Sequence, residues 1–178
     1  MVEIAETAVH KAVEREISVL ADALNTTTDI VLPLLKFHLF AEHILERIIC
    51  ERLPRADRFL DQRVNFAQKL ALVSSFDTIK DASVQAMRQV NALRNECSHV
   101  RCKQISQEDV DRIGQSLGSD YRKIKHRHGH DLRLLLIFTL AKIAVSFITV
   151  LITPEVQDEI REMSKGKADC LDVESKNE

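Results

Sequence analysis

The sequence predicts an all-α protein. Only four glycines and three prolines occur in 178 residues, so chain breaks are rare and long helices are favoured. Apolar side chains recur at spacings of three and four residues in several stretches, as on the buried side of an amphipathic helix. No stretch shows the alternating pattern of a strand.

Length and composition fit one domain. A chain of 178 residues lies in the usual single-domain range, and a hydrophobic content of 45% is ample for one core. We place the domain at residues 1–165 and predict a disordered charged tail at 166–178. The four cysteines form no CxxC motif, which favours reduced thiols and a cytoplasmic location.

Capping residues and prolines mark the predicted helix boundaries in the first half of the chain. Residues 3–24 carry an approximate apolar stripe and predict a first helix. Asp29 is a candidate N-cap for the next helix, because Pro33 falls in the first turn and Pro54 follows the expected end near Leu53. Residues 57–63 are interpreted as a charged connector.

Three further helices are predicted downstream. Asn65 can cap a short helix at 66–76, and Asp81 begins a longer one. The apolar side chains of that longer helix recur every three residues: Val84, Met87, Val90 and Leu93. Ser106 and Asp109 resemble a capping box for a helix that should reach Leu117, where Gly118 interrupts it.

Two later stretches allow more than one interpretation. Residues 121–130 hold four basic side chains, three histidines and Tyr121. They are an RNA-binding segment, with Lys123, Lys125 and Arg127 as contacts, a solvated loop, or a nickel or zinc site on the three alternate histidines. Residues 132–152 are apolar and long enough to cross a bilayer. Lys142 at their centre would cost about 2.5–3.5 kcal/mol there, which favours a helix in a core or a dimer interface. Residues from Thr153 predict a final short helix.

The charge distribution is consistent with a nucleic-acid ligand without requiring one. The whole chain has a formal net charge of −2. Residues 24–154 hold 19 basic and 14 acidic side chains, a net charge of +5 that a solvated surface explains equally well.

The residues from Arg94 to His99 are the candidate reactive site. Asn95 and His99 lie one helical turn apart, and the long side chain of Arg94 can reach the same spot. Arginine can bind a phosphate in a fork, and histidine can exchange a proton with a ribose hydroxyl or a leaving oxygen near neutral pH. Asparagine can hold the histidine or a phosphate oxygen by hydrogen bonds. Ser98, in the same run, and Glu42 are assigned supporting roles, Glu42 as an orienting partner for Arg94 or His99.

No metal or cofactor is expected. The helix that follows Asp29 carries polar groups at or near four-residue spacing, at His38, Glu42, His43 and Glu46. Such groups could share an ion. Interleaved apolar residues favour polar groups that flank a core stripe instead.

The arginine, the asparagine and the histidine resemble the R-x(4–6)-H signature of the HEPN (higher eukaryote and prokaryote nucleotide-binding) ribonucleases. The helix order over residues 30–103 is similar as well. The resemblance implies a HEPN-like up-and-down bundle of about five main helices plus short connecting helices. It also implies a homodimer that pairs two motif helices across one cleft, and cleavage of RNA without a metal. Arg101 stands where toxins of one subgroup, those paired with a small nucleotidyltransferase, have tyrosine, which places the chain outside that subgroup.

A second resemblance leads to a different class of function. Mannitol operon repressors share the long aliphatic helix with a glutamate and a motif helix that ends near a histidine, and this implies a non-catalytic regulatory protein that acts through protein contacts. Three alternatives remain. The chain is a metal-independent endoribonuclease of a toxin or anti-phage defence system, or it binds RNA or a partner without cleaving. In the third alternative, Arg94, Asn95 and His99 are simply the C-terminus of a helix. The expected partners are RNA, a second copy and an antitoxin or regulatory protein, with no membrane.

Overall fold

Helix follows helix through the part of the chain that the computed structural model describes, residues 29–99 and 103–151 with positions 18, 20 and 24. No strand occurs in these residues, so the all-α prediction is confirmed. The α-helices are α1 (Val31–Arg52), α2 (Ala56–Leu60), α3 (Phe66–Ser75), α4 (Asp81–His99), α5 (Gln107–Gly114), α6 (Ser119–His128) and α7 (Leu132–Leu151).

Predictions at both ends of the chain fall mostly or wholly outside the described residues. Positions 18, 20 and 24 are helical, and Leu20 and Leu24 are buried in the core, as the predicted stripe requires. The rest of the helix expected at 3–24, the final short helix from Thr153, the domain boundary at 165 and the tail at 166–178 lie outside them.

Helix α1 has the predicted termini. Asp29 accepts a hydrogen bond from the backbone N–H of Val31 at 2.9 Å, although Ile30 occupies the N-cap position itself. Pro33 is buried in the first turn, and the helix ends at Arg52, two residues before Pro54. The connector expected at 57–63 is wrong in part, because Ala56–Leu60 forms the short helix α2 and Ala56 packs into the core.

Capping boxes begin two of the other helices. The Asn65 side chain accepts from the backbone N–H of Gln68, whose own side chain accepts from the backbone of Asn65. Ser106 and Asp109 make the same reciprocal contacts at the start of α5. Each box satisfies two backbone donors that a helix N-terminus would otherwise leave free.

Helix α4 buries one face and positions the motif. Its predicted apolar positions Val84, Met87, Val90 and Leu93 are all buried, and the helix continues to His99. It packs against α1, α3 and α5. The motif therefore lies at the end of a helix whose buried face is packed against three neighbours.

Beyond α5, the helical turns reach Leu117 and stop at Gly118 as predicted, and only the stretch that follows Gly118 differs from the prediction. A 3-10 helix at Gln115–Leu117 ends at Gly118, whose φ of +60° favours glycine. The solvated loop proposed for 121–130 is wrong, because most of that stretch belongs to α6. Tyr121 is buried against Gly114, where an added Cβ would lie 2.1 Å from the ring, so this contact anchors a helix that has little apolar surface of its own.

Helix α7 is mainly a core element. In the described part it alone is long and apolar enough to cross a membrane, with a mean hydropathy of 2.4 over its most apolar window, yet 56% of that window is buried. Lys142 pairs with Asp120 of α6 at 2.8 Å, so the charge lies at the protein surface. These features are consistent with the core helix of a soluble protein.

Candidate functional site at the end of helix α4

The last turns of α4 pass from core to solvent. Leu93 is buried, Arg94 and Asn95 are half-buried, and Ser98 and His99 are exposed. Helix α4 packs against α1, α3 and α5, and its last two turns present the four polar residues.

Arg94 is held by its own helix. Its Nη1 donates to Oδ1 of Asn95 at 3.1 Å, and Ser98 Oγ donates to the Arg94 carbonyl at 3.0 Å. Within the described residues no carboxylate pairs with the guanidinium. Arginine has five N–H donors, so most of them stay available for an anion.

His99 is accessible and has no hydrogen-bond partner among the described residues. Asn95 was expected to hold either this histidine or a phosphate oxygen. The structure gives its amide oxygen to Arg94 instead. The three motif residues therefore share one helix end, but only Arg94 and Asn95 touch each other.

Ion pairs connect the end of α4 to α5. Glu96, inside the motif run, pairs with Arg112 at 3.4 Å and with Lys103 at 3.5 Å, and Lys103 also reaches Asp109 at 3.0 Å. Cys97 packs against the core on this side, and burial raises the pKa of its thiol. A packed thiol fits these contacts better than a nucleophile does.

A second polar contact lies one turn earlier on α4 and was not predicted. His38 of α1 donates through Nε2 to Oδ1 of Asn91 at 3.0 Å, and its ring contacts that of Phe66, tilted by 30° with centroids 4.2 Å apart. The sequence contained one signal, since Asn91 precedes Asn95 by four residues and therefore shares its face.

The imidazole of His38 is kept neutral. Burial lowers its pKa, the Asn91 hydrogen bond opposes this, the charge of Arg94 lowers it further and that of Glu42 raises it, and the net pKa is below the usual value. The positive charge of Arg94 therefore acts on His38, which contacts the motif helix.

Glu42 has a different partner from the one expected. Its carboxylate and that of Glu46 bind Nζ of Lys69, at 2.7 and 2.6 Å. Lys69 is buried, and although burial opposes its charge, the two carboxylates hold its pKa above the usual value. Glu42 therefore joins α1 to α3 and contacts neither Arg94 nor His99.

The His38–Glu46 face has no cluster suited to a metal ion among the described residues. The ammonium group of Lys69 lies between the two carboxylates that would be the ligands.

The three basic residues expected to bind RNA do not share a surface. Lys123 and Arg127 lie one turn apart on α6 and line a cavity with Phe138. Lys125 lies on another side of the helix, where its Nζ bonds both carboxylate oxygens of Asp111 at 2.8 Å. Because the stretch is helical, alternate residues face in different directions.

The chain matches no family model, no curated protein and no solved structure.

Proposed function

We propose that the chain is a HEPN-type protein that binds RNA and cleaves it without a metal ion, with Arg94 and His99 as the reacting pair. The observation that carries the proposal is the end of α4, where a guanidinium with no carboxylate partner in the described residues lies within the same two turns as an accessible imidazole. An anion-binding fork and an imidazole that can accept or donate a proton, both on one helix end, suit a phosphodiester.

The proposed reaction is transesterification. His99 takes the proton of a ribose 2′-hydroxyl, the 2′-oxygen bonds to phosphorus, and the bond from phosphorus to the 5′-oxygen breaks. The 5′-oxygen gains a proton, so the step needs one base and one acid and leaves a 2′,3′-cyclic phosphate. Arg94 stabilises the charge that develops on the phosphate oxygens, and Asn95 keeps the fork in place.

A homodimer would supply the second proton carrier. In the HEPN arrangement the ends of two α4 helices meet across one cleft, so His99 of each copy could act on the same phosphate. The accessibility of His99 in the single chain supports this arrangement, because a residue enclosed by its own protomer could not meet a second copy. We propose a role as a toxin or an anti-phage defence factor for such an activity.

One observation favours a second candidate, a binding or regulatory protein that does not cleave. The amide oxygen of Asn95 bonds to Arg94 and leaves the imidazole of His99 without an orienting partner in the described chain. A general base without an orienting contact is a weaker catalyst. A non-catalytic protein similar in role to the mannitol operon repressors would keep Arg94 for binding alone.

Cleavage of a labelled single-stranded RNA in EDTA separates the two candidates. We expect products with 2′,3′-cyclic phosphate ends and no cleavage of the DNA of the same sequence, because DNA lacks the 2′-hydroxyl. Binding without any cleavage would select the second candidate. Activity that EDTA abolishes would overturn the metal-independent mechanism.

A further inference from the structure

A groove lies between α6 and α7, away from the α4 motif. One cavity of about 260 Å³ is lined by Lys123, Arg127 and His128 of α6 and by Phe138 and Lys142 of α7. Lys123 and Arg127 are exposed and lie one helical turn apart, so both side chains flank the same opening.

Two stacked aromatic rings lie at one end of this cavity. The rings of His128 and Phe138 are nearly parallel, 8° apart, with centroids separated by 3.9 Å. Phe138 nevertheless stays 43% exposed, which is unusual for a large apolar side chain of a core helix. A flat aromatic surface beside cations is a platform on which a nucleobase can stack.

A second cavity continues the first. It has a volume of about 510 Å³ and shares Asp120 and Lys142 with its neighbour. Lys80 and the hydroxyl groups of Ser83, Ser146 and Thr149 line its far part. From Phe138 to Thr149 the helix rises about 16 Å, so the two cavities form one elongated groove, the α6–α7 groove.

The groove has an excess of positive charge. Its lining includes four cations, Lys80, Lys123, Arg127 and Lys142, and one acid, Asp120. Asp120 pairs with Lys142 at 2.8 Å and lies in the field of Lys123 and Lys80, so a single carboxylate neutralises only part of the set. Uncompensated cations along a groove attract a polyanion.

We propose that the α6–α7 groove binds single-stranded RNA, with Lys123 and Arg127 on its phosphates and the His128–Phe138 pair against a base. This rests on the proposed function, since it assigns a path to the RNA outside the reacting site. A base must be unstacked from its neighbours to lie on a protein ring, which favours a single strand over a duplex. In the second cavity the hydroxyl group of Ser146 accepts from Ser83 and can itself donate to a phosphate or ribose oxygen, whereas that of Thr149 donates to the Val145 carbonyl.

Helix α6 offers a matched control for the cations. Lys123→Gln with Arg127→Gln removes two charges from the groove. Arg122→Gln with Lys125→Gln removes two charges from the same helix, but these residues line a different cavity. Thermal unfolding of both variants should be measured to check that the fold is kept.

The ligand should be 2′-O-methyl oligouridylate, which lacks the free 2′-hydroxyl and is not consumed. We expect Lys123→Gln with Arg127→Gln to weaken binding and to reduce the slope of log affinity against log salt by about 1.4, about 0.7 for each phosphate contact. The control variant should keep the wild-type slope. Phe138→Ala should weaken binding roughly 5- to 150-fold, the range for one stacked base, and Phe138→Trp should restore it.

Equal losses in the two double variants would overturn the groove proposal, as would wild-type affinity in Phe138→Ala or no binding by the wild-type protein. The same variants assayed for cleavage distinguish the groove from the reacting site. Groove-dependent binding without any cleavage would refute the cleavage proposal alone. Cleavage with binding that is indifferent to the groove residues would refute the groove alone.

Discussion

Nε2 of His38 lies 3.0 Å from Oδ1 of Asn91, and this contact joins the middle of α1 to α4 one turn before Asn95. The two residues are 53 positions apart in the chain, so the contact exists only in the folded protein. It connects the motif helix to α1, and the positive charge of Arg94 acts on the same imidazole.

This contact predicts a pH-dependent stability. The pKa of His38 is lower in the folded chain than its usual 6.5, so its contribution to stability is complete above that value and is lost as the pH falls below it. Urea unfolding of the wild type should show a lower free energy of unfolding at pH 5.5 than at pH 7.5. His38→Gln keeps a donor for Asn91 without titrating, so it should show a smaller difference. An equal difference in both proteins would assign the pH dependence to other groups.

The ion pairs of the buried Lys69 with two partly exposed carboxylates predict a specific loss of stability. Lys69→Met leaves the carboxylates of Glu42 and Glu46 without their cation and should cost about 1.5–3 kcal/mol in the free energy of unfolding. Lys125→Met breaks the half-exposed pair with Asp111 and should cost less, about 1 kcal/mol or under. Combining Lys69→Met with Glu42→Gln should recover part of the loss. Additive costs would mean that the two side chains are not coupled.

The composite site predicts a dimer. The apolar helix predicted at 132–152 favoured a core or a dimer interface, and in the structure Phe138 is the only exposed large hydrophobic residue of α7 in its described range. What remains is the need for a second proton carrier at the phosphate. Sedimentation at micromolar protein should give twice 20.3 kDa. A stable monomer that still cleaves RNA would refute the shared site.

The hydrogen bond between Arg94 and Asn95 predicts a difference between arginine and lysine. Arg94→Lys keeps the charge but loses the planar fork, so RNA cleavage should fall although the net charge is unchanged. Arg88→Lys, an exposed position on the same helix, is the matched control and should cleave like the wild type. If Arg94→Lys also retains full activity, Arg94 acts only as a distant charge.

The sequence predicted those helices that carry their own signals. Asn65 and Ser106 cap α3 and α5 through contacts within four residues, and the apolar stripe of α4 repeats every turn, so local patterns were sufficient. Helix α6 was not predicted from the sequence, because most of its residues are polar. It is anchored by the buried ring of Tyr121 against Gly114, a tertiary contact that no local pattern contains.

The candidate site was likewise predictable where its residues are neighbours in the sequence, but not where its contacts join distant parts of the chain. Arg94, Asn95, Ser98 and His99 are neighbours in the sequence, and their placement on one helix end follows from that. The partners of Glu42 and His38 lie 27 and 53 residues away, so their identity depended on how α1, α3 and α4 pack. The assignment of Glu42 to the motif failed for this reason.

The most direct test of the central claim is the cleavage rate of His99→Ala at saturating single-stranded RNA in EDTA, beside His43→Ala, which alters an exposed histidine of α1. If His99 carries the proton, its removal should lower the rate roughly 10²–10⁴-fold, while His43→Ala should cleave at the wild-type rate. His99 is exposed at a helix end, so the variant should keep the wild-type unfolding temperature. A folded His99→Ala protein that cleaves as fast as the wild type would contradict the account.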